Sequence, residues 1–369
     1  MRKTALFCQV VSVIMGILLA STLALADSSI TYDGPPKKIR FSVYYPAAYP
    51  VYEVGLSKWI PMVEKESGGK IVFDNYFGGV LHSARDGFRA MASDIADITT
   101  GYPAYQPGSF NLCLVADMPF TFTNSWTAGL VMEELYPKYF KKEYENNDVY
   151  LAFYTCTSNY NLISKKPVRK FADLKGMKIR SFGGVCSDML KKLGAVPLMV
   201  QSGEVETSFE RGIIDGALFS DNSAASFRLH EIGKYSTDLG LTRMGIPYCM
   251  NKKTFDALPP DLKVFFYNKL RQGCQIASGS YEIADKAALA EMLKAGVERI
   301  IMAPEEVEKC RKAVEPMWQE FVDKNEAKGL PAKALVKELR ELDKKYSTWT
   351  PDQIFEYVTK KPIQGIISF

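Results

Sequence analysis

Residues 39–44, Ile-Arg-Phe-Ser-Val-Tyr, alternate apolar and polar side chains, the period of a strand with one buried face. They run into an aromatic loop, Tyr44-Tyr45-Pro46-Ala47-Ala48-Tyr49-Pro50. Tyr52, Leu56, Trp59 and Val63 then recur at helical spacing, and Gly68-Gly69 stops that helix before a strand over 70–73. Gly78-Gly79 precedes a helix carrying Phe88, Met91 and Ala92, and residues 94–99 read as a third strand. This strand–helix alternation predicts a largely parallel sheet covered by helices.

The alternation restarts after a helix around 128–139, with a strand over 149–154 and another over 161–164. Residues 178–182 form a short strand, Gly183-Gly184 a turn, 187–193 and 204–211 helices, and 215–219 a further strand. Pro259-Pro260 opens a helical stretch to about residue 295, too long for one lobe and suited to bracing two. Further helices are predicted near 304–328 and 331–346. The expected class is therefore α/β in two lobes. Lobe I takes residues 27–152 with about 245–285, and lobe II takes 153–244 with about 286–369 and the C-terminal helices. A chain of 369 residues exceeds the usual size of one hydrophobic core, which agrees with that division.

Residues 1–26 are set apart from the fold. Arg2 and Lys3 precede an apolar run over 5–24 that closes on Ala24-Leu25-Ala26, the pattern of a secretory signal peptide, so the mature protein is expected to begin near Asp27. No later segment approaches the roughly 18 apolar residues of a membrane span, and the remainder is expected to be soluble. Without Arg2 and Lys3 there are 44 basic and 42 acidic residues, a net charge of +2, which argues against a nucleic-acid partner. The six later cysteines, Cys113, Cys156, Cys186, Cys249, Cys274 and Cys310, lack metal-type spacing and are expected to be mostly buried free thiols.

Catalytic signatures are absent. There are two histidines, His82 and His230, and no nucleophile elbow, zinc-binding helix, phosphate loop or dinucleotide fingerprint, so neither catalytic residues nor a metal or cofactor are assigned. A Cys186–His82 nucleophile pair is the weak alternative. The informative segment is 165–180, where Lys165, Lys166, Arg169, Lys170, Lys175 and Lys178 flank turns and are expected to face water. Arg180 differs, because it follows Ile179 on a strand and emerges at the strand end, where α/β crevices form. A buried arginine there needs an anion, and its planar fork matches a carboxylate in two parallel hydrogen bonds. Gly183-Gly184 at a helix start could add backbone N–H groups. The alternative for Arg180 is a pairing with an acidic neighbour.

Several spaced blocks carry a family resemblance. They are Ser164-Lys165-Lys166-Pro167, Asp173-Leu174-Lys175-Gly176-Met177-Lys178-Ile179-Arg180, Gly194-Ala195-Val196-Pro197, Gly203-Glu204-Val205, Asp215-Gly216, His230-Glu231-Ile232-Gly233-Lys234-Tyr235, and the run from Asn251 to Pro260. Across nearly all of the mature chain the sequence resembles the solute-binding receptors of tripartite ATP-independent periplasmic (TRAP) transporters. The resemblance implies a two-lobed periplasmic binding protein with a hinge, a small organic acid held by Arg180, and membrane permease subunits as partners. It also implies a periplasmic location and a monomer without catalytic activity. A ligand-sensing periplasmic receptor and a secreted enzyme using the same cleft are the other readings.

Two departures narrow the ligand. Tyr160 stands where many members have an arginine, and Phe219-Ser220 stands where they have Asn-Pro, which removes polar groups for a second carboxylate or a sugar acid. Tyr44, Tyr102, Tyr154, Tyr160, Phe182 and Phe219 are expected around the crevice mouth, with Asp221 as a lesser candidate for a ligand hydroxyl or amine. The expectation is a monocarboxylate with a hydrophobic or aromatic body.

Overall fold

The computed structural model describes residues 30–106 and 108–369, so the expected signal peptide lies outside the described residues. Two mixed sheets organise the chain. The first holds β1 (Lys37–Ser42), β2 (Ile71–Tyr76), β3 (Ile98–Thr100), β4 (Val149–Cys156) and β10 (Gly245–Asn251) in the order β2-β1-β3-β10-β4. The second holds β5 (Asn161–Ser164), β6 (Lys178–Ser181), β7 (Val196–Met199), β8 (Gly216–Phe219), β9 (Tyr235–Asp238) and β11 (Glu298–Ile301) in the order β11-β9-β5-β8-β6-β7.

The α/β class stands, but the sheets are less parallel than the alternation predicts. β1 pairs in parallel with β2 and β3, and β6 with β7 and β8, whereas β10 is antiparallel to β3 and β4, and β5 is antiparallel to β8 and β9. The cause is that the chain crosses from β4 to β5, returns in the opposite direction from β9 to β10, and passes a third time, along the helix Pro260–Lys294, from β10 to β11. The first two crossing segments hold each other: Thr157 N–H donates to the Met244 carbonyl at 3.0 Å and Tyr160 N–H to the Thr242 carbonyl at 2.8 Å.

Arg243 straps this hinge to the rest. Its guanidinium donates to the Thr157 carbonyl at 3.1 Å, Ser125 Oγ at 3.0 Å and the Thr123 carbonyl at 2.9 Å, and pairs with Glu282 at 2.6 Å. Glu282 lies on the helix Pro260–Lys294, whose 35 residues make it about 50 Å long. That helix packs on both sides of the hinge, against Ser125–Leu135 and β4 of the first sheet and against Asp221–Ser226 of the second. Gly129 permits the crossing, because a Cβ there would lie 2.6 Å from Ser278 Oγ.

The C-terminal helices divide differently from the expected lobe II assignment. Pro304–Val314 packs against the second lobe's Gly184–Lys192, while Ala332–Tyr346 and Pro351–Lys360 lie against Ser125–Leu135 of the first. All six cysteines in the described residues are free and buried. No helix among the described residues is long and apolar enough to cross a membrane.

Candidate functional site

The site is built on one face of the second sheet. Register places Arg299 beside Ser236, Ser236 beside Ile163, Asn161 beside Phe219, and Arg180 beside Ala217, so these side chains share a face across β11, β9, β5, β8 and β6. The six other basic residues of 165–178 are exposed, and Arg180 alone is buried, at 1% exposure. Its Nε donates to the Val200 carbonyl at 3.0 Å, Nη1 to the Leu218 carbonyl at 3.1 Å, and Nη2 to Ser202 Oγ at 3.3 Å. Its guanidinium carbon sits 4.0 Å from the centre of the Phe219 ring.

Arg180 forms no ion pair among the described residues, which removes the acidic-neighbour alternative. A guanidinium has five N–H donors. Three are engaged, so one remains on each of Nη1 and Nη2, the pair a carboxylate accepts side by side.

A chain of rings leads from this arginine to the opposite lobe. Tyr160 lies 5.4 Å from Phe182 and 6.0 Å from Phe219, and Phe219 lies 5.7 Å from Phe227. Phe227 meets Tyr49 at 6.1 Å, which continues through Tyr45, Tyr44 and Tyr102 to Tyr105 with centroid spacings of 4.6, 5.5, 5.9 and 5.3 Å. The lobes therefore touch across the cleft. Tyr49 Oη shares a 2.7 Å hydrogen bond with Ser223 Oγ, and Gly183 packs near Ala104. Gly183 adopts φ +93°, a left-handed conformation, and a Cβ there would come within 3.2 Å of Met199 Sδ.

Five of the six aromatic side chains expected at the crevice are thus brought together with Arg180: Tyr44, Tyr102, Tyr160, Phe182 and Phe219. Tyr154 is not among them. Its hydroxyl lies against Gly245, beside Ala116, inside the first lobe, where burial raises its pKa. Asp221 is a second correction, since both its oxygens are already engaged. Oδ1 accepts from Ser236 and Arg299, and Oδ2 from Asn161 and Arg299, at 3.0–3.2 Å. Of the two backbone amides expected from the glycine pair, that of Gly183 is engaged, since it donates to Ser181 Oγ at 3.2 Å.

Sequence reasoning did not pick out Tyr49, Tyr105 or Phe227 as site residues, although Tyr49 and Tyr105 follow Tyr44 and Tyr102 within the same loops. The Cys186–His82 alternative has no geometry behind it. His82 Nε2 lies 2.9 Å from Thr99 Oγ1 and its Nδ1 lies 2.9 Å from the Ser83 carbonyl, while burial pushes the Cys186 thiol up to about 12. Among the described residues no group of three His, Cys, Asp or Glu side chains is placed to hold a metal.

The profile of the bacterial extracellular solute-binding proteins, family 7, matches residues 41–325. The chain belongs to this family. Its members are receptors of TRAP transporters that bind small organic acids and work with membrane permease components. A solute-binding protein of Sulfitobacter sp. (strain NAS-14.1) is 30% identical over 251 residues, covering 65% of this chain and 74% of that protein. Among solved structures, a TRAP solute-binding protein from Rhodoferax ferrireducens T118, in complex with copurified benzoate, has a TM-score of 0.80 and 22% identity. That match covers 84% of this receptor and 98% of the other chain. A TRAP periplasmic solute-binding protein from Bordetella bronchiseptica, with bound (R)- and (S)-mandelate, has a TM-score of 0.78 and 24% identity over 84% and 99% of the two chains. Both likenesses establish the two-lobed binding fold for this receptor.

Proposed function

We propose that this receptor captures a small organic monocarboxylate with an apolar, aromatic body between its lobes and delivers it to the membrane permease of a TRAP transporter. Residues 1–26 are proposed to direct its export. The observation that carries the reading is a buried Arg180 with no carboxylate of its own, two N–H groups unengaged and rings around it. A buried cation without an anion is costly, and a ligand carboxylate removes that cost.

The rest of the ligand meets rings rather than charge, because Tyr160 and Phe219 occupy the positions where a second arginine and an asparagine would sit. The nearest further guanidinium on that face, Arg299, is paired with Asp221 and Asp238 at 3.1 and 3.0 Å. Contacts to both lobes exist only when the hinge closes, so the bound acid stabilises the closed form. The benzoate and mandelate held by the two structural relatives are acids of the proposed kind.

The test is calorimetric titration of ligand-stripped protein with benzoate, an aliphatic monocarboxylate, a dicarboxylate and a sugar acid. Benzoate is expected to bind most tightly of the four. Arg180→Ala is expected to lose about 2–5 kcal/mol, on the order of 30- to several-thousand-fold in Kd. An unchanged dissociation constant in that variant would sink the clamp, and tightest binding of the dicarboxylate or sugar acid would sink the apolar pocket.

A further inference from the structure

Where the lobes touch over the cleft, Tyr49 Oη and Ser223 Oγ stand 2.7 Å apart. Tyr49 belongs to the first lobe. Its ring lies 4.6 Å from that of Tyr45, whose hydroxyl meets Tyr248 Oη of β10 at 2.6 Å. Ser223 belongs to the second, on the helix Asp221–Ser226 that follows β8. Both residues are buried, at 4% and 1% exposure, and a buried hydroxyl ordinarily keeps a hydrogen-bond partner.

The second lobe holds its half of this contact in a fixed place. Asn222 Nδ2 donates to Ser158 Oγ at 3.0 Å, Asp285 Oδ1 at 3.0 Å and the Tyr281 carbonyl at 3.3 Å, which settles the orientation of the amide and turns its oxygen toward the serines. Asn222 Oδ1 accepts from Ser223 Oγ at 3.2 Å, and Ser223 Oγ accepts from Ser220 Oγ at 2.8 Å. A hydroxyl has one proton and two lone pairs, so Ser223, with its proton given to Asn222, receives that of Tyr49. Burial raises the Tyr49 phenol, which therefore keeps its proton. One network thus joins the first-lobe loop, the second-lobe helix, the β4–β5 crossing at Ser158 and the long helix at Tyr281 and Asp285.

Every group in this contact is the receptor's own, so the bond is the same whichever acid the cleft holds. We propose that Tyr49 and Ser223 form a latch between the lobes that sets how long the cleft stays closed, while Arg180 and the rings choose the acid. This rests on the closure over an organic acid proposed above, and not on the aromatic body of that acid. A solute leaves when the lobes part, so removing the latch speeds its escape by one factor common to all solutes. A side chain that touches the solute changes different solutes by different factors.

Tyr49→Phe keeps the ring and removes the donor, and Ser223→Ala removes the acceptor. Benzoate and mandelate serve as probes, and their dissociation rate constants are measured by stopped flow from loaded wild type, both variants and the double variant. Each single variant is expected to raise both rate constants about two- to tenfold, with factors for the two acids that agree within about twofold. The double variant is expected to be no faster than the faster single one, because the two substitutions remove the same bond. Unchanged rates in both single variants, factors that differ more widely between the acids, or a double variant faster than either would overturn the latch and leave the Arg180 clamp standing. Should either acid fail to bind, amide hydrogen exchange of the ligand-free protein decides: Tyr49→Phe is expected to speed exchange in residues 221–227 and Ser223→Ala in residues 46–52. Unchanged exchange in the opposite lobe's segment would overturn the latch. Failure of both acids to bind overturns the aryl-acid reading alone.

Discussion

Phe219 does for Arg180 what an acidic neighbour does for most buried arginines, without neutralising it. A ring face 4.0 Å from the guanidinium attracts the cation through its quadrupole, and three hydrogen bonds to neutral oxygens fix the fork. The charge stays available to a ligand. Phe219→Leu keeps the site apolar but removes the ring, and the expected outcome is a loss of about 0.5–2 kcal/mol in binding the cognate acid. Unchanged affinity by titration calorimetry would mean that the three hydrogen bonds alone orient the fork. At this scale the burial of Arg180 was legible, because it follows Ile179 on a strand, but the residues alone left an acidic neighbour and a ligand equally open as its partner, and the family resemblance favoured the ligand. Asp221 was not legible, since its partner Arg299 lies 78 positions away on β11, a strand the apolar pattern does not reveal. Tyr154 was misplaced for another reason: seven of the eight residues of β4 are buried, so alternation cannot tell the side facing the cleft from the side facing the core.

The elements that could be read locally are those with caps and clear periods. Pro259-Pro260 marks the start of the long helix because proline suits a first helical turn and not its interior. The expected single helix over 304–328 is interrupted for the same reason, at Pro316, giving Pro304–Val314 and Pro316–Glu326. β10 could not be read, since Gly-Ile-Pro-Tyr-Cys-Met-Asn is buried at every position and shows no alternation. Its place between β3 and β4 follows only from a return across the hinge. What locks the long helix onto the first lobe was equally hidden: Arg271 and Glu133 pair at 2.6 Å with neither side chain exposed. Burial pushes the Glu133 carboxyl up, against the pull of Arg271. Glu133→Ala leaves Arg271 buried and unpaired, and the expected cost is about 3–5 kcal/mol of stability, read from chemical denaturation. A loss below about 1 kcal/mol would show that the backbone carbonyl of Ala152, which Arg271 also reaches, satisfies the cation by itself.

Across the whole molecule, two further carboxyls, the buried Asp117 and the half-buried Asp285, sit where the lobes join. Asp117 accepts the Gly245 N–H at 2.8 Å at the start of β10, and burial pushes its carboxyl up to about 7. Asp285, on the long helix, accepts the backbone and side-chain N–H groups of Asn222 at 2.9 and 3.0 Å, and burial followed by the charge of Asp221 raises it to about 7. A carboxyl raised in the folded state binds its proton more tightly there than in the unfolded chain, where it ionises near 4. The stability these two contribute is therefore complete below about pH 4 and is lost as pH rises toward 7. Asp97 acts in the opposite sense. Against the upward push of burial, the Arg40 guanidinium and the Thr254 hydroxyl hold it below the usual carboxylate range, so its contribution is lost in acid. Maximum stability is expected between about pH 4.5 and 6, with Tm falling from pH 5 to pH 8. Asp117→Asn supplies the neutral form at every pH while its carbonyl oxygen still accepts from Gly245, so its Tm is expected to exceed that of wild type at pH 8 and to fall less steeply between the two pH values. A wild-type Tm that rises over this interval, or an equal slope in the variant, would place the ionisation of Asp117 outside the energetics of the hinge.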